Sequence, residues 1–81
     1  LSTFEEIRDL VADALQLADR SAGWSRETQL LGALPEFDSQ SVVYVITSIE
    51  DQYGFVVEDD EITAETFETL GSLVDFVEAR L

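Results

Sequence analysis

Ser39 is the residue of this chain whose type and position could do chemistry. A proline-bearing stretch, Leu34-Pro35-Glu36-Phe37-Asp38, ends there, and the most regular apolar helix pattern of the sequence begins. At about 100° per residue from Ser39, Val42, Val45, Ile46, Ile49 and Tyr53 fall on one side with Val43 at its edge. Gln40, Tyr44, Thr47 and Asp51 gather opposite. Either Asp38 or Ser39 can be the N-cap, because both side chains can accept from the free amides of a first turn. If Asp38 caps, the Ser39 hydroxyl is left in solvent at the positive end of the helix dipole. A phosphate ester there would lie beside unsatisfied amides in a favourable field. From the Asp-Ser pair alone, the plainer reading of Ser39 as a cap or surface hydroxyl is the stronger one.

Few other residues compete for a chemical role. The chain has no Cys, no His and no lysine, its four basic residues all being arginines. It therefore lacks the usual nucleophiles, neutral-pH proton shuttles and Schiff-base amines, and it can build neither a disulfide framework nor a zinc-thiolate site. Any thioester chemistry here needs a thiol supplied by a prosthetic group. An enzyme in its own right is disfavoured further by a length that leaves little room for an enclosed site.

The charge narrows the choice of partner. Eighteen acidic side chains against four arginines give a formal net charge of -14, while hydrophobic residues at 46% are ordinary for a folded domain. Such a surface repels nucleic acid and anionic lipid, and draws basic protein patches at long range in a salt-dependent way. No apolar run is long enough to span a membrane and no signal pattern opens the chain, so a cytoplasmic, monomeric protein is expected. The absence of Met with Leu1 in first place points to a chain trimmed at its N-terminus or excised from something longer.

The elements that must position Ser39 follow from periodicity. Two overlapping capping boxes, Ser2 with Glu5 and Thr3 with Glu6, open a first helix. Phe4, Ile7, Leu10, Val11, Ala14, Leu15 and Ala18 form its apolar stripe to about Asp19, with Arg8, Asp9, Asp13 and Gln16 facing solvent. Residues 20–37 make a long connection in which Leu30, Leu31 and Leu34 are apolar enough to pin it down and Trp24 reads as a lid over the core. Gly54 stops the central helix at C′. Phe55-Val56-Val57 runs extended into Glu58-Asp59-Asp60-Glu61, a solvated charge run that fails as an EF-hand and keeps open only weak divalent-ion binding. Thr63 caps a short turn to Phe67, and Thr69 caps a last helix whose inward stripe is Leu70, Leu73, Val74, Val77 and Leu81. The expected fold is all-α: one domain, residues 1–81, of three principal helices plus one short helical turn, with a long ordered loop between the first two helices.

These elements together resemble a known family. Leu31-Gly32-Ala33-Leu34-Pro35-Glu36-Phe37-Asp38-Ser39, the apolar helix, Glu50-Asp51-Gln52-Tyr53-Gly54-Phe55 and the closing Glu68-Thr69-Leu70-Gly71-Ser72-Leu73-Val74-Asp75-Phe76-Val77 resemble the acyl and peptidyl carrier proteins. The likeness runs from near Phe4 to the end. It implies 4'-phosphopantetheine on Ser39, with Asp38 also helping to hold the metal ion when a phosphopantetheinyl transferase delivers that group. It implies an acyl- or aminoacyl-loading ligase and downstream biosynthetic enzymes with basic docking patches as further partners. Their recognition surface would be Gln40, Ser41, Tyr44, Thr47, Glu50 and Asp51. The fatty-acid-synthesis carriers typically have Leu after the serine and acidic residues along this helix. Here Gln40, Ser41, Tyr44 and Thr47 stand in those places, which turns expectation towards a dedicated biosynthetic cluster. An acyl carrier, an aminoacyl carrier of a non-ribosomal peptide-type pathway and an unmodified acidic interaction module all fit the residues, and modification of Ser39 separates the last from the others.

Overall fold

The structure, a computed structural model, describes residues 2–17, 19–30 and 39–81, Ser39 by its backbone. Three helices, α1 (Thr3–Leu15), α2 (Ser39–Tyr53) and α3 (Leu70–Glu78), pack around one core, with α1 against both of the others. The described residues contain no strand, only an isolated antiparallel bridge between Gln29 and Thr69.

Of the two overlapping capping boxes, the first is formed. The Ser2 hydroxyl accepts from the Glu5 amide at 3.2 Å while the Glu5 carboxylate accepts from the Ser2 amide at 3.2 Å. The Ser2 hydrogen bonds hold the Glu5 carboxyl below its ordinary pKa. Ile7, Val11 and Leu15 of the expected stripe are buried and Phe4, Leu10 and Ala14 partly so; Ala12, outside that stripe, is buried as well, and Ala18 lies outside the described residues. The helix stops earlier than its stripe suggests. Gln16 turns left-handed at φ 59°, and the Leu17 amide donates to the Ala12 carbonyl at 2.8 Å, a Schellman-type closure. Leu17 is thereby folded into the core, so its burial is a property of the turn and not of a longer helix.

Val45, Ile46 and Ile49 of α2 are buried, with Val42 and Tyr53 partly so, and Val43 at the edge is exposed. Gly54 ends α2 at φ 77°, as expected of a C′ glycine, its amide bonded to the Glu50 carbonyl. A reciprocal box between Thr69 and Ser72 opens α3, which buries Leu70, Leu73, Val74 and Val77. Leu81 departs from the expected stripe: α3 ends at Glu78, the chain leaves helical register, and Leu81 is exposed.

Residues 19–30 of the long connection carry a 3₁₀ turn at Ser21–Gly23 and then lie against the start of α3. Leu30 is fully buried and Trp24 packs over the core, in line with its reading as a lid. Backbone bonds of 2.9 Å join Leu30 N–H to Glu68 O, Leu70 N–H to Thr28 O and Gly71 N–H to Arg26 O. Gly71 is required by this approach, because a Cβ there would stand 2.8 Å from the Arg26 carbonyl oxygen. Leu31 and Leu34, also expected to pin the loop, lie outside the described residues.

The acidic run is less uniform than its composition suggests. Asp59–Glu61 form a 3₁₀ turn in which Asp59 and Asp60 are exposed, while Glu61 is half-buried in an ion pair with Arg80. The Arg80 guanidinium also lies 5.9 Å from the Phe55 ring centre and 5.5 Å from that of Phe76. The Thr63 hydroxyl accepts from the Thr66 amide at 3.2 Å, closing the short turn and burying Phe67. Among the described residues no group of three acidic side chains is gathered to hold a metal ion, which leaves divalent-ion binding at 58–61 without a geometric basis. No helix among them is long and apolar enough to cross a membrane.

Candidate functional site

Ser39 is the first residue of α2. Burial of Val45, Ile46 and Ile49 sets the rotation of the helix and so the faces on which its polar residues fall. No acidic residue stands in the first turn, so α2 contributes no carboxylate there to oppose an anion at its amino end. Asp38, the expected motif neighbour, lies outside the described residues.

The expected recognition face is assembled in part. Gln40, Tyr44, Thr47 and Asp51 are exposed, Tyr44 to 55%, whereas Ser41 and Glu50 are half-buried. The Glu50 carboxylate accepts from the Val57 amide at 2.8 Å and so anchors the segment that leaves α2. Glu50 therefore has a structural task that helix periodicity could not reveal, since its partner is seven residues away across a turn. What the periodicity missed altogether is the other wall beside this face. Tyr44 and Asp51 share an open groove with Glu6, Asp9, Leu10 and Asp13 of α1. The Tyr53 hydroxyl donates to Glu6 Oε1 at 2.7 Å across the two helices, and burial first, then this carboxylate, push the Tyr53 pKa up to about 12. The three-and-four spacing of Glu6, Asp9 and Asp13 was visible; that their edge would meet α2 was not.

Comparison with known proteins agrees with this architecture. The family described as "Phosphopantetheine attachment site" matches residues 5–77. The chain belongs to that family of carrier proteins. The carrier is 32% identical over 76 residues to the acyl carrier protein of Lactobacillus acidophilus, covering 94% of this chain and 89% of that one. Its fold is similar to the solution NMR structure of a holo acyl carrier protein from Nitrosomonas europaea, with a TM-score of 0.89 and 46% identity over 99% of this chain and 96% of that one. The function is that of an acyl carrier protein, with covalent 4'-phosphopantetheine as its prosthetic group, and proteins of this kind work with biosynthetic enzymes. The carrier's residues fit that group: a serine opens a fifteen-residue helix at its positive end, with exposed Gln40 beside it and no carboxylate in that turn. When attached, the arm supplies the thiol that a chain without cysteine lacks.

Proposed function

We propose that Ser39 is the attachment point, esterified through its hydroxyl to the phosphate of 4'-phosphopantetheine, and that the chain acts as a non-catalytic, monomeric carrier over residues 1–81. The observation that carries the assignment is the position of Ser39 as the first residue of α2, within the family match, at a helix end without first-turn acids. The amides of that end favour the phosphodiester, and the buried stripe of α2 holds the helix in one orientation. Asp38 acts beside it during loading. Tethering turns encounters of a dilute intermediate into encounters at high effective concentration, and the acidic surface speeds approach to the basic patches of a transferase, a loading ligase and downstream enzymes. Gln40, Tyr44, Thr47 and Asp51 form the outer recognition face, with Ser41 and Glu50 at its margin.

Intact mass after incubation with coenzyme A, magnesium and a broad-specificity phosphopantetheinyl transferase tests this reading. The parent chain gains the mass of one phosphopantetheine and Ser39→Ala gains none. A modified Ser39→Ala protein would move the attachment elsewhere. An unmodified but folded parent, offered several transferases, would return the chain to an acidic interaction module.

A further inference from the structure

The groove between α1 and α2 is walled by Glu6, Asp9 and Asp13 on one side and Asp51 on the other, with Leu10 and the exposed Tyr44 ring between them. It is open and encloses about 600 Å³. None of the described arginines lines it. Arg26 is paired with Asp75 at 2.6 Å and Arg80 with Glu61, while Arg8, its guanidinium over Phe4, pairs with the groove acid Asp9 at 3.1 Å. Among the described residues this leaves Glu6, Asp13 and Asp51 as the acids without an arginine partner in the groove. One end is fixed by the bond from Tyr53 to Glu6. The groove thus combines concentrated negative charge with an apolar strip of leucine and tyrosine, in a chain whose α2 carries no acid before Glu50.

We infer that this groove, and not the outer face of α2 alone, is the docking surface for a basic amphipathic helix of a partner enzyme, with α1 supplying most of the charge. The inference rests on the carrier reading only for the kind of partner; the groove itself is a property of α1 and α2. Charge complementarity sets the occupant. Acids at positions 6, 9 and 13 of α1 span about two helical turns, roughly 10 Å. A helix bearing arginine or lysine at i and i+7 matches that span, and one leucine between them reaches Leu10 and Tyr44. A small polycation would meet the carboxylates and leave the apolar strip uncovered.

The test is an NMR amide-shift titration of the full chain, in both its unmodified and phosphopantetheine-bearing forms, with a synthetic helical peptide carrying arginines at i and i+7 around one leucine. Expected are shifts confined to the groove residues in both forms. Asp13→Asn combined with Asp51→Asn should weaken binding about fivefold. Asp59→Asn with Asp60→Asn, the same change of charge on a remote turn, should stay within about twofold. Replacing the peptide's leucine by serine should weaken binding as well. Equal loss in both double variants would reduce the effect to net charge, and indifference to the leucine would leave simple polycation binding; either overturns the inference. So do shifts centred on Val43, Thr47 and Val56. Because the unmodified chain is titrated too, failure here is separable from failure to modify Ser39.

Discussion

Two contacts fasten the long connection and the helices of this carrier, and they are built differently. Where residues 26–30 meet the start of α3, three backbone hydrogen bonds and the missing side chain of Gly71 bring main chain onto main chain. Where α1 meets α2, an apolar seam closes underneath and the rim is joined by the Tyr53–Glu6 bond, with acids left standing along it. The first arrangement is made by main chain and by the absence of a side chain at Gly71. The second leaves charge and an aromatic ring accessible. A carrier needs both: a connection held firmly enough to present the head of α2, and a surface that partners can find and leave.

That contrast predicts an order of effects. Gly71→Val forces a side chain against the Arg26 carbonyl and should cost about 1–3 kcal/mol, lowering the melting temperature by at least about 4 °C. A variant that melted with the parent would show that the junction can open without loss, and would remove the distinction between the two contacts. Tyr53→Phe removes one bond to a carboxylate and should cost about 1 kcal/mol. Its pH dependence sharpens the comparison. The folded-state pKa of Tyr53 is raised from 10.0 to about 12, so the stabilisation is complete below pH 10 and is lost as pH rises through 12. Paired thermal melts should show the gap between parent and Tyr53→Phe closing over that interval; a gap unchanged at high pH would mean that the hydroxyl does not join the helices. Asp13→Asn is the smallest change. Asp13 is an exposed acid in the last turn of α1, where the helix dipole is negative and no basic residue compensates, so its neutralisation should raise stability by about 0.3 kcal/mol. A fall in melting temperature would show that the acid is held by a local interaction and is not waiting for an external one.

Much of the fold was legible because its signals are local. Ser2 with Glu5, Thr69 and Gly54 act within one turn of themselves, and the apolar repeats of α1, α2 and α3 needed only a helical count. The failures are at places where a distant partner decides. The expected stripe of α1 runs on to about Asp19 and leaves out Leu17, whereas the helix ends at Leu15 and the left-handed Gln16 folds that leucine inward. Leu81 matched a period that α3 no longer keeps. Glu61 looked like one more solvated acid, but Arg80, Phe55 and Phe76 give it a half-buried place. At the site, the Asp-Ser pair, the helix after it and the exposed face were readable from periodicity, whereas the engagement of Glu50 with Val57 and the second wall provided by α1 were not.

That this is a carrier followed from its likeness to a family. The sequence by itself determined that it is a small, acidic, helical chain without Cys, His or Lys, and that a serine stands at the head of its best helix. Those are matters of composition, charge and short-range periodicity, which each segment expresses without reference to the rest. Only the tertiary structure decided which acids share a groove, which are tied down and why Gly71 must lack a side chain. Helical periodicity assigns a residue to a face, but the approach of another segment determines what that face meets.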